Sequence, residues 1–275
     1  MQRILSMLLS LTLTMGLTTG CSKQRIQAEK AIARTLISDE QEEDLGKQVK
    51  RELETKEKVK YVQDASVVEY VNNISSPILR QANKDRPGVK WKINVIDDPK
   101  MVNAFATPGG YLYVYTGLIL AADTEAELAG VMAHEAGHVV GRHSARAMVN
   151  QLGLQTVTQA ALGKNPSAVA AIAAQLVSGG TMLAHGRSEE IEADEYGARY
   201  SSGAGYDPRG LITFFQKLQA QQGGDGPGFM KWLSTHPPNN ERIANIQRMI
   251  SQNNLSGTNS SPGGLPAIKQ KLGRR

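Results

Sequence analysis

The sequence predicts an α+β fold, mainly helical, with a small and at least partly antiparallel sheet beside one helix that carries an H-E-x-x-H motif. Three observations predict it. Apolar residues recur at three- and four-residue spacing through long stretches on both sides of a single region of strand alternation, Val89 to Tyr115. The motif His134-Glu135-Ala136-Gly137-His138 lies in a segment, Asp123 to Val149, that reads as helix throughout. With 275 residues, 40% of them hydrophobic, the chain can bury one sizeable core with an appendage.

Charge and cysteine usage narrow the class. The net charge of +5, from 31 Lys and Arg against 26 Asp and Glu, is modest and dispersed, which points weakly towards anionic membrane surfaces. Aromatics are 5% and do not interleave with basic residues, so no nucleic acid is expected as a partner. The one cysteine, Cys21, rules out a disulfide within the chain. It follows Arg3, an apolar run from Ile4 to Leu17 and Thr18-Thr19-Gly20, the shape of a signal peptide over residues 1–20 and shorter than a membrane span of about 20 residues. A small residue before a solitary cysteine resembles the bacterial lipobox, in which the thiol receives a diacylglycerol and becomes the mature N-terminus. Thr18 stands where that pattern prefers Leu, a departure from it. Ser22 after the cysteine, by resemblance to known lipoproteins, favours the outer membrane, so the expectation is a periplasmic protein held to that membrane by lipid on Cys21.

Residues 21–86 are expected to form a charged helical segment packing on the core. Ser38-Asp39-Glu40-Gln41 is a capping box, followed by Leu45, Val49 and Leu53 as a narrow apolar stripe. Asp64 caps a second helix with Val67, Val68, Val71 and Ile74, expected to end near Pro77 or a turn later. Pro87-Gly88 then turns the chain into strands: Val89, Trp91, Ile93 and Val95 alternate with polar residues, and Asn103-Ala104-Phe105-Ala106 turns through Thr107-Pro108-Gly109-Gly110 into Tyr111 to Tyr115. Asn103 to Ala106, just ahead of the motif helix, can be an ordinary sheet strand or an edge that pairs with an extended peptide. A short helix from Gly117 to Ala122 precedes the long one, which opens on the capping box Thr124-Glu125-Ala126-Glu127.

In that helix His134 and His138, four residues apart, lie about 40° apart on one face and can converge on one metal ion. Glu135, about 100° round from His134, can reach an open metal position. Gly137 costs about 1 kcal/mol in a helix interior and signals close approach of another backbone. A catalytic zinc needs a third ligand. His143 is one residue short of the register a metzincin requires, where Ser144 stands; a metzincin site would need it on the metal, and otherwise it lies on the surface or behind a ligand. The Ala-rich stretch from Ala168 to Ala184, interrupted by Gln175 and Ser178-Gly179-Gly180, reads as a buried helix rather than a membrane segment. Beyond it Glu190 and Asp194 share a helix face, so one can bind the metal and the other accept the outer N–H of a ligating histidine, while Glu189, Glu192 and Glu195 read as a solvated face.

The H-E-x-x-H helix, the Asn-Ala-Phe-Ala strand before it and Glu190-Ile191-Glu192-Ala193-Asp194 after it together resemble the HtpX and CAAX-prenyl-protease family of gluzincin peptidases, most of all its periplasmic lipoprotein members. The resemblance covers roughly Val89 to Ile250. It implies a zincin-like metallopeptidase core over residues 87–252, one Zn2+ held by His134, His138 and Glu190, Asp194 behind a ligand, and Glu135 as the catalytic base. Protein or peptide substrates follow from the family, and cell-envelope quality control of misfolded or unassembled proteins is the expected setting. His185-Gly186-Arg187 replaces the common Tyr-Ser-Arg and leaves the role of His185 open.

The family also carries a His-Pro element with a downstream arginine, here His236-Pro237 and Arg242. His236 has two possible site roles, donating to the developing oxyanion or occupying the water position and holding the enzyme latent, beside the plain reading of a helix-entry histidine before a proline turn. Arg242 can orient Asp194 or a neighbouring carboxylate, or form a plain surface ion pair. Tyr206-Asp207-Pro208 opens a helix with core residues Leu211, Phe214, Phe215 and Leu218, and Gln221 to Gly228 forms a glycine-rich loop. Residues 253–275, rich in Asn, Ser, Gly and Pro with a basic end, are expected to be a disordered tail. The rival function class is a metal-binding lipoprotein with a holdase or assembly role and little proteolysis.

Overall fold

The computed structural model describes residues 37–178, 185–220, 235–237 and 239–273. The signal peptide, Cys21 and the glycine-rich segment 221–228 lie outside the described residues. Helix α1 (Asp39–Thr55) starts at Ser38, whose hydroxyl accepts from the Gln41 N–H while the Gln41 amide oxygen accepts from the Ser38 N–H. Its stripe of Leu45, Val49 and Leu53 is fully buried. Helix α2 (Ala65–Asp85), capped by Asp64, runs past Pro77 rather than stopping near it. Ile74, Ile78, Leu79 and Ala82 continue its buried stripe, and that packing outweighs the backbone bond a helical proline removes.

Strands β1 (Lys92–Ile96), β2 (Ala104–Thr107) and β3 (Tyr111–Tyr115) form a sheet of order β1-β3-β2, with β1 parallel and β2 antiparallel to the central β3. Alternation along β3 sends Leu112 and Val114 into one core and Tyr111, Tyr113 and Tyr115 into a second. The sheet is therefore covered on both faces.

After α3 (Thr116–Ala121), helix α4 (Glu125–Val140) opens on Thr124, whose hydroxyl accepts from the Glu127 N–H. The expected continuous helix to Val149 is corrected here. α4 stops at Gly141, Arg142 adopts a left-handed φ of 57°, and α5 (His143–Leu152) starts in a new direction. Helices α6 (Leu154–Ala161) and α7 (Pro166–Ser178) follow, then α8 (Arg187–Gly203), α9 (Gly210–Ala220) and α10 (Asn240–Gln252). The Leu112 face packs with residues of α2, α3, α4, α8, α9 and α10, whereas the tyrosine face packs with α1, α5, α6 and α7. Among the described residues no helix is long and apolar enough to cross a membrane.

The tail expected to be disordered is also a correction. Helix α11 (Leu265–Leu272) buries Leu265, Ile268 and Leu272, an i, i+3, i+7 stripe, in the first core. The segment before it folds over the start of α4, where the Glu125 N–H donates to the Ser261 carbonyl and Glu125 accepts from the Gly264 N–H. Asn, Ser and Gly serve this connection as turn residues.

Candidate metal centre

Two helices build the site. α4 holds His134, Glu135 and His138, all buried, and α8 holds Glu190 and Asp194, also buried. Their backbones approach closely at Gly137, where a Cβ would stand 2.8 Å from the Tyr196 Cβ and 3.0 Å from the Ala193 carbonyl oxygen. That is the close approach the mid-helix glycine foretold, and it lets the short reach of Glu190 span the gap to both imidazoles.

Glu190 stands at the centre of the cluster. Its carboxylate oxygens lie 3.5 Å from His134 Nε2, 3.4 Å from His138 Nε2 and 3.0 Å from His236 Nδ1. The two Nε2 atoms are 3.0 Å apart, and His134 Nε2 is 3.3 Å from His236 Nδ1. Ligands about 2.0–2.1 Å from a tetrahedral zinc are separated by roughly 3.3 Å, and the nitrogen spacings of 3.0 and 3.3 Å lie close to that edge. One donor atom from each of His134, His138, Glu190 and His236 lies within 4.8 Å of every other.

The remaining ring nitrogens set the tautomers. Asp194 Oδ1 lies 3.0 Å from His134 Nδ1, which directs the Nδ1–H outward and the Nε2 lone pair inward. Arg242 holds Asp194 with two 2.7 Å bonds from Nε and an Nη, places its other Nη 2.8 Å from Glu190, and stacks on Phe215. On the other ligand, His143 Nδ1 is 2.8 Å from His138 Nδ1, and His143 Nε2 is 3.1 Å from Glu192. With His143 donating to Glu192, its Nδ1 accepts from His138 and leaves the His138 Nε2 lone pair facing Glu190.

Glu192 is buried, a correction to its expected place on a solvated face, because His143 folds back towards α8 to meet it. The sequence signal for this arrangement was Gly141, a helix stop three residues after His138. Glu195 is exposed as expected, and Glu189 is half-buried with Arg146 3.4 Å away. His185 stacks on His138 with ring centroids 3.9 Å apart.

Electrostatics fit a cation. Three buried carboxylates, Glu135, Glu190 and Asp194, share one buried guanidinium, Arg242, an excess of negative charge that a divalent ion would balance. Burial alone would raise the Glu190 pKa, but His236, His134 and His138 hold it well below the usual carboxylate range. For His134, burial opposes a charge and is outweighed by Asp194 and Glu190, which lift its pKa to about 9, so a metal ion would have to displace a proton from Nε2 to bind there. Burial and the neighbouring His185 keep His138 well below the ordinary imidazole value.

His236 spans the centre, with Nε2 3.4 Å from Glu135 Oε1. The strand Asn103 to Ala106 is buried at the sheet margin, on the far side of β3 from β1. The Tyr115 N–H donates to Asn103, so by alternation the backbone groups of Ala104 and Ala106 point away from β3, and the Ala106 carbonyl accepts from the Ser144 hydroxyl.

A glutamate between two helical histidines that converge with a carboxylate from a second helix is the donor set of a zincin-type metallohydrolase. A sequence model of peptidase family M48 matches residues 66–250, and the chain belongs to that family. The matched region begins within α2, earlier than the expected start at residue 87. The chain is 36% identical to mitochondrial metalloendopeptidase OMA1 of Arabidopsis thaliana over 61% of its length and 32% of that protein. It is 34% identical to a putative beta-barrel assembly-enhancing protease of Vibrio cholerae, over 70% of this chain and 40% of the relative. The beta-barrel assembly-enhancing protease of Escherichia coli K12 matches at 31% over the same shares. The chain thus spans less than half the length of each of these three relatives.

Proposed function

We propose that the chain is a zinc endopeptidase of the cell envelope, with His134, His138 and Glu190 as metal ligands. The observation that carries this reading is the convergence of one buried donor atom from each of them, with one from His236, within 4.8 Å of one another. A zinc ion there would supply Lewis acidity towards a peptide carbonyl and acidify water. Glu135 takes the proton of the attacking water and returns it to the leaving amine. Asp194 and Glu192, the latter through His143, hold the two imidazoles as neutral Nε2 donors, and Arg242 fixes Asp194 and Glu190.

Within the strand Asn103, Ala104, Phe105 and Ala106, a substrate backbone would pair with the outward groups of Ala104 and Ala106, displacing the Ser144 hydroxyl from the Ala106 carbonyl, while Asn103 and Phe105 stay paired with β3. Misfolded or unassembled envelope proteins are the proposed substrates, a setting suggested by the Vibrio and Escherichia relatives, which are named as proteases that enhance beta-barrel assembly. The lipobox-like Thr18-Thr19-Gly20-Cys21 supports attachment to the outer membrane by lipid on Cys21. His236, with Nδ1 at the spacing of a fourth ligand, holds the resting enzyme closed and moves aside for substrate.

That closed four-donor set also favours a second reading, a zinc-binding assembly factor that does not cleave. Casein digestion by the wild type, with chelator and zinc re-addition, separates the two. The peptidase reading expects cleavage that chelation stops and zinc restores, and expects Glu135→Gln to bind zinc without cleaving. Zinc binding with no cleavage by the wild type or by His236→Ala would establish the second reading. Faster cleavage by His236→Ala marks His236 as the latch, whereas a loss of about 100-fold marks it as an oxyanion donor.

A further inference from the structure

Helix α1 lies outside the region matched by the family, yet two of its carboxylates reach the end of the motif helix. Glu42 is buried and joins two buried arginines, 2.9 Å from Arg86 and 2.7 Å from Arg142. Asp39 bonds both of the same guanidiniums. Arg142 also donates to the Ile37 carbonyl at 2.8 Å, and Arg86 donates to the Val139 carbonyl at the last turn of α4 at 2.6 Å. The contacts of Arg142, and that of Arg86 with Val139, tie the N-terminal segment and the end of α2 to the corner between α4 and α5, while the other Arg86 contacts tie that residue to α1.

That corner sets the histidine behind a proposed metal ligand. Arg142 has a left-handed backbone, which a side chain other than glycine seldom adopts without being held. Gly141 before it leaves the space that the His143 ring fills, since a Cβ there would stand 2.2 Å from His143 Nε2. His143 then meets His138 at 2.8 Å and Glu192 at 3.1 Å. The route is continuous: Glu42 holds Arg142, Arg142 holds the corner, the corner places His143, and His143 fixes the tautomer and tilt of His138.

We infer that Glu42 is a positioning residue for the metal centre, through which helix α1 completes a site whose ligands all lie on other helices. The inference rests on the zinc reading of His134, His138 and Glu190. It makes the metal centre depend on a segment that joins the catalytic region to the proposed lipid anchor.

Zinc affinity of the full chain, measured by competition with a chromogenic chelator, tests it. Glu42→Gln, Arg142→Met and His143→Ala are each expected to bind zinc about 10- to 100-fold more weakly than the wild type. The double variant Glu42→Gln with His143→Ala is expected to bind no more weakly than His143→Ala alone, because both changes act through one contact. Leu53→Ala, which removes a buried side chain from the same helix far along it, is expected to lower Tm and leave zinc affinity unchanged. If Glu42→Gln fails to fold, Arg142→Met carries the test, since it removes the guanidinium that holds the left-handed backbone and leaves Glu42 paired with Arg86. Wild-type affinity in Arg142→Met or in folded Glu42→Gln, additive losses in the double variant, or an equal loss in Leu53→Ala would each overturn the inference. A wild-type chain that binds no zinc removes the metal reading and this inference together. Zinc binding lost in His134→Ala but intact in Glu42→Gln removes this inference alone.

Discussion

Glu190 is the residue around which the site's charges are arranged, with three imidazoles and one guanidinium within 3.5 Å of its carboxylate. Asp194 acts one step further out, accepting from His134 and held by Arg242. Replacing it with asparagine is expected to weaken zinc binding by about 10-fold or more, since an amide can present its NH2 to His134 and upset the tautomer. Equilibrium dialysis against buffered zinc measures this, and unchanged affinity would mean that Asp194 does not orient His134. The pair Glu190 and Asp194 was legible because four-residue spacing puts both on one helix face. The pair His143 and Glu192 was not, because their contact depends on a left-handed residue that no periodicity announces.

At the scale of elements, the approach of α4 to α8 decides whether the ligands can meet. Gly137→Ala would put a Cβ 2.8 Å from that of Tyr196, and overpacking of this kind costs about 1–3 kcal/mol. Urea unfolding should show that loss, together with weaker zinc binding as the helices separate; a neutral result would contradict the close-packed interface. Helix α1 is tied to the sheet by Glu43, whose pKa is held at about 2 by its bond from Lys90, with Lys47 and Lys92 adding to it. A carboxylate with a lowered folded pKa stabilises above its unfolded value, near 4.5, and loses that contribution as pH falls towards 2. Glu43→Gln should therefore flatten the fall of Tm between pH 4.5 and pH 2, and an unchanged slope would exclude this tie. Helix starts at Ser38, Asp64 and Thr124 were legible from their capping residues, whereas helix ends at Asp85 and Val140 were set by tertiary packing and a backbone corner.

Across the whole molecule, one small sheet separates two cores, and the motif helix with α8 lies on the Leu112 side, while α1, α5, α6 and α7 brace the other. The mainly helical α+β class followed from composition and pattern alone. The docked C-terminal helix did not, since polar turn residues around it masked the stripe Leu265, Ile268 and Leu272. Ending the chain after Gln252 should expose the first core and cost on the order of 3 kcal/mol or more, read as a lower urea midpoint, whereas a dispensable tail would leave the midpoint unchanged. The central claim, that α4 and α8 together hold one metal ion, is tested most directly by metal analysis of purified Glu190→Ala beside the wild type at the same buffered zinc concentration. One zinc per wild-type chain and little in Glu190→Ala is the predicted result. Full occupancy in Glu190→Ala would contradict it and move the third ligand to another α8 carboxylate, Glu189 or Glu192.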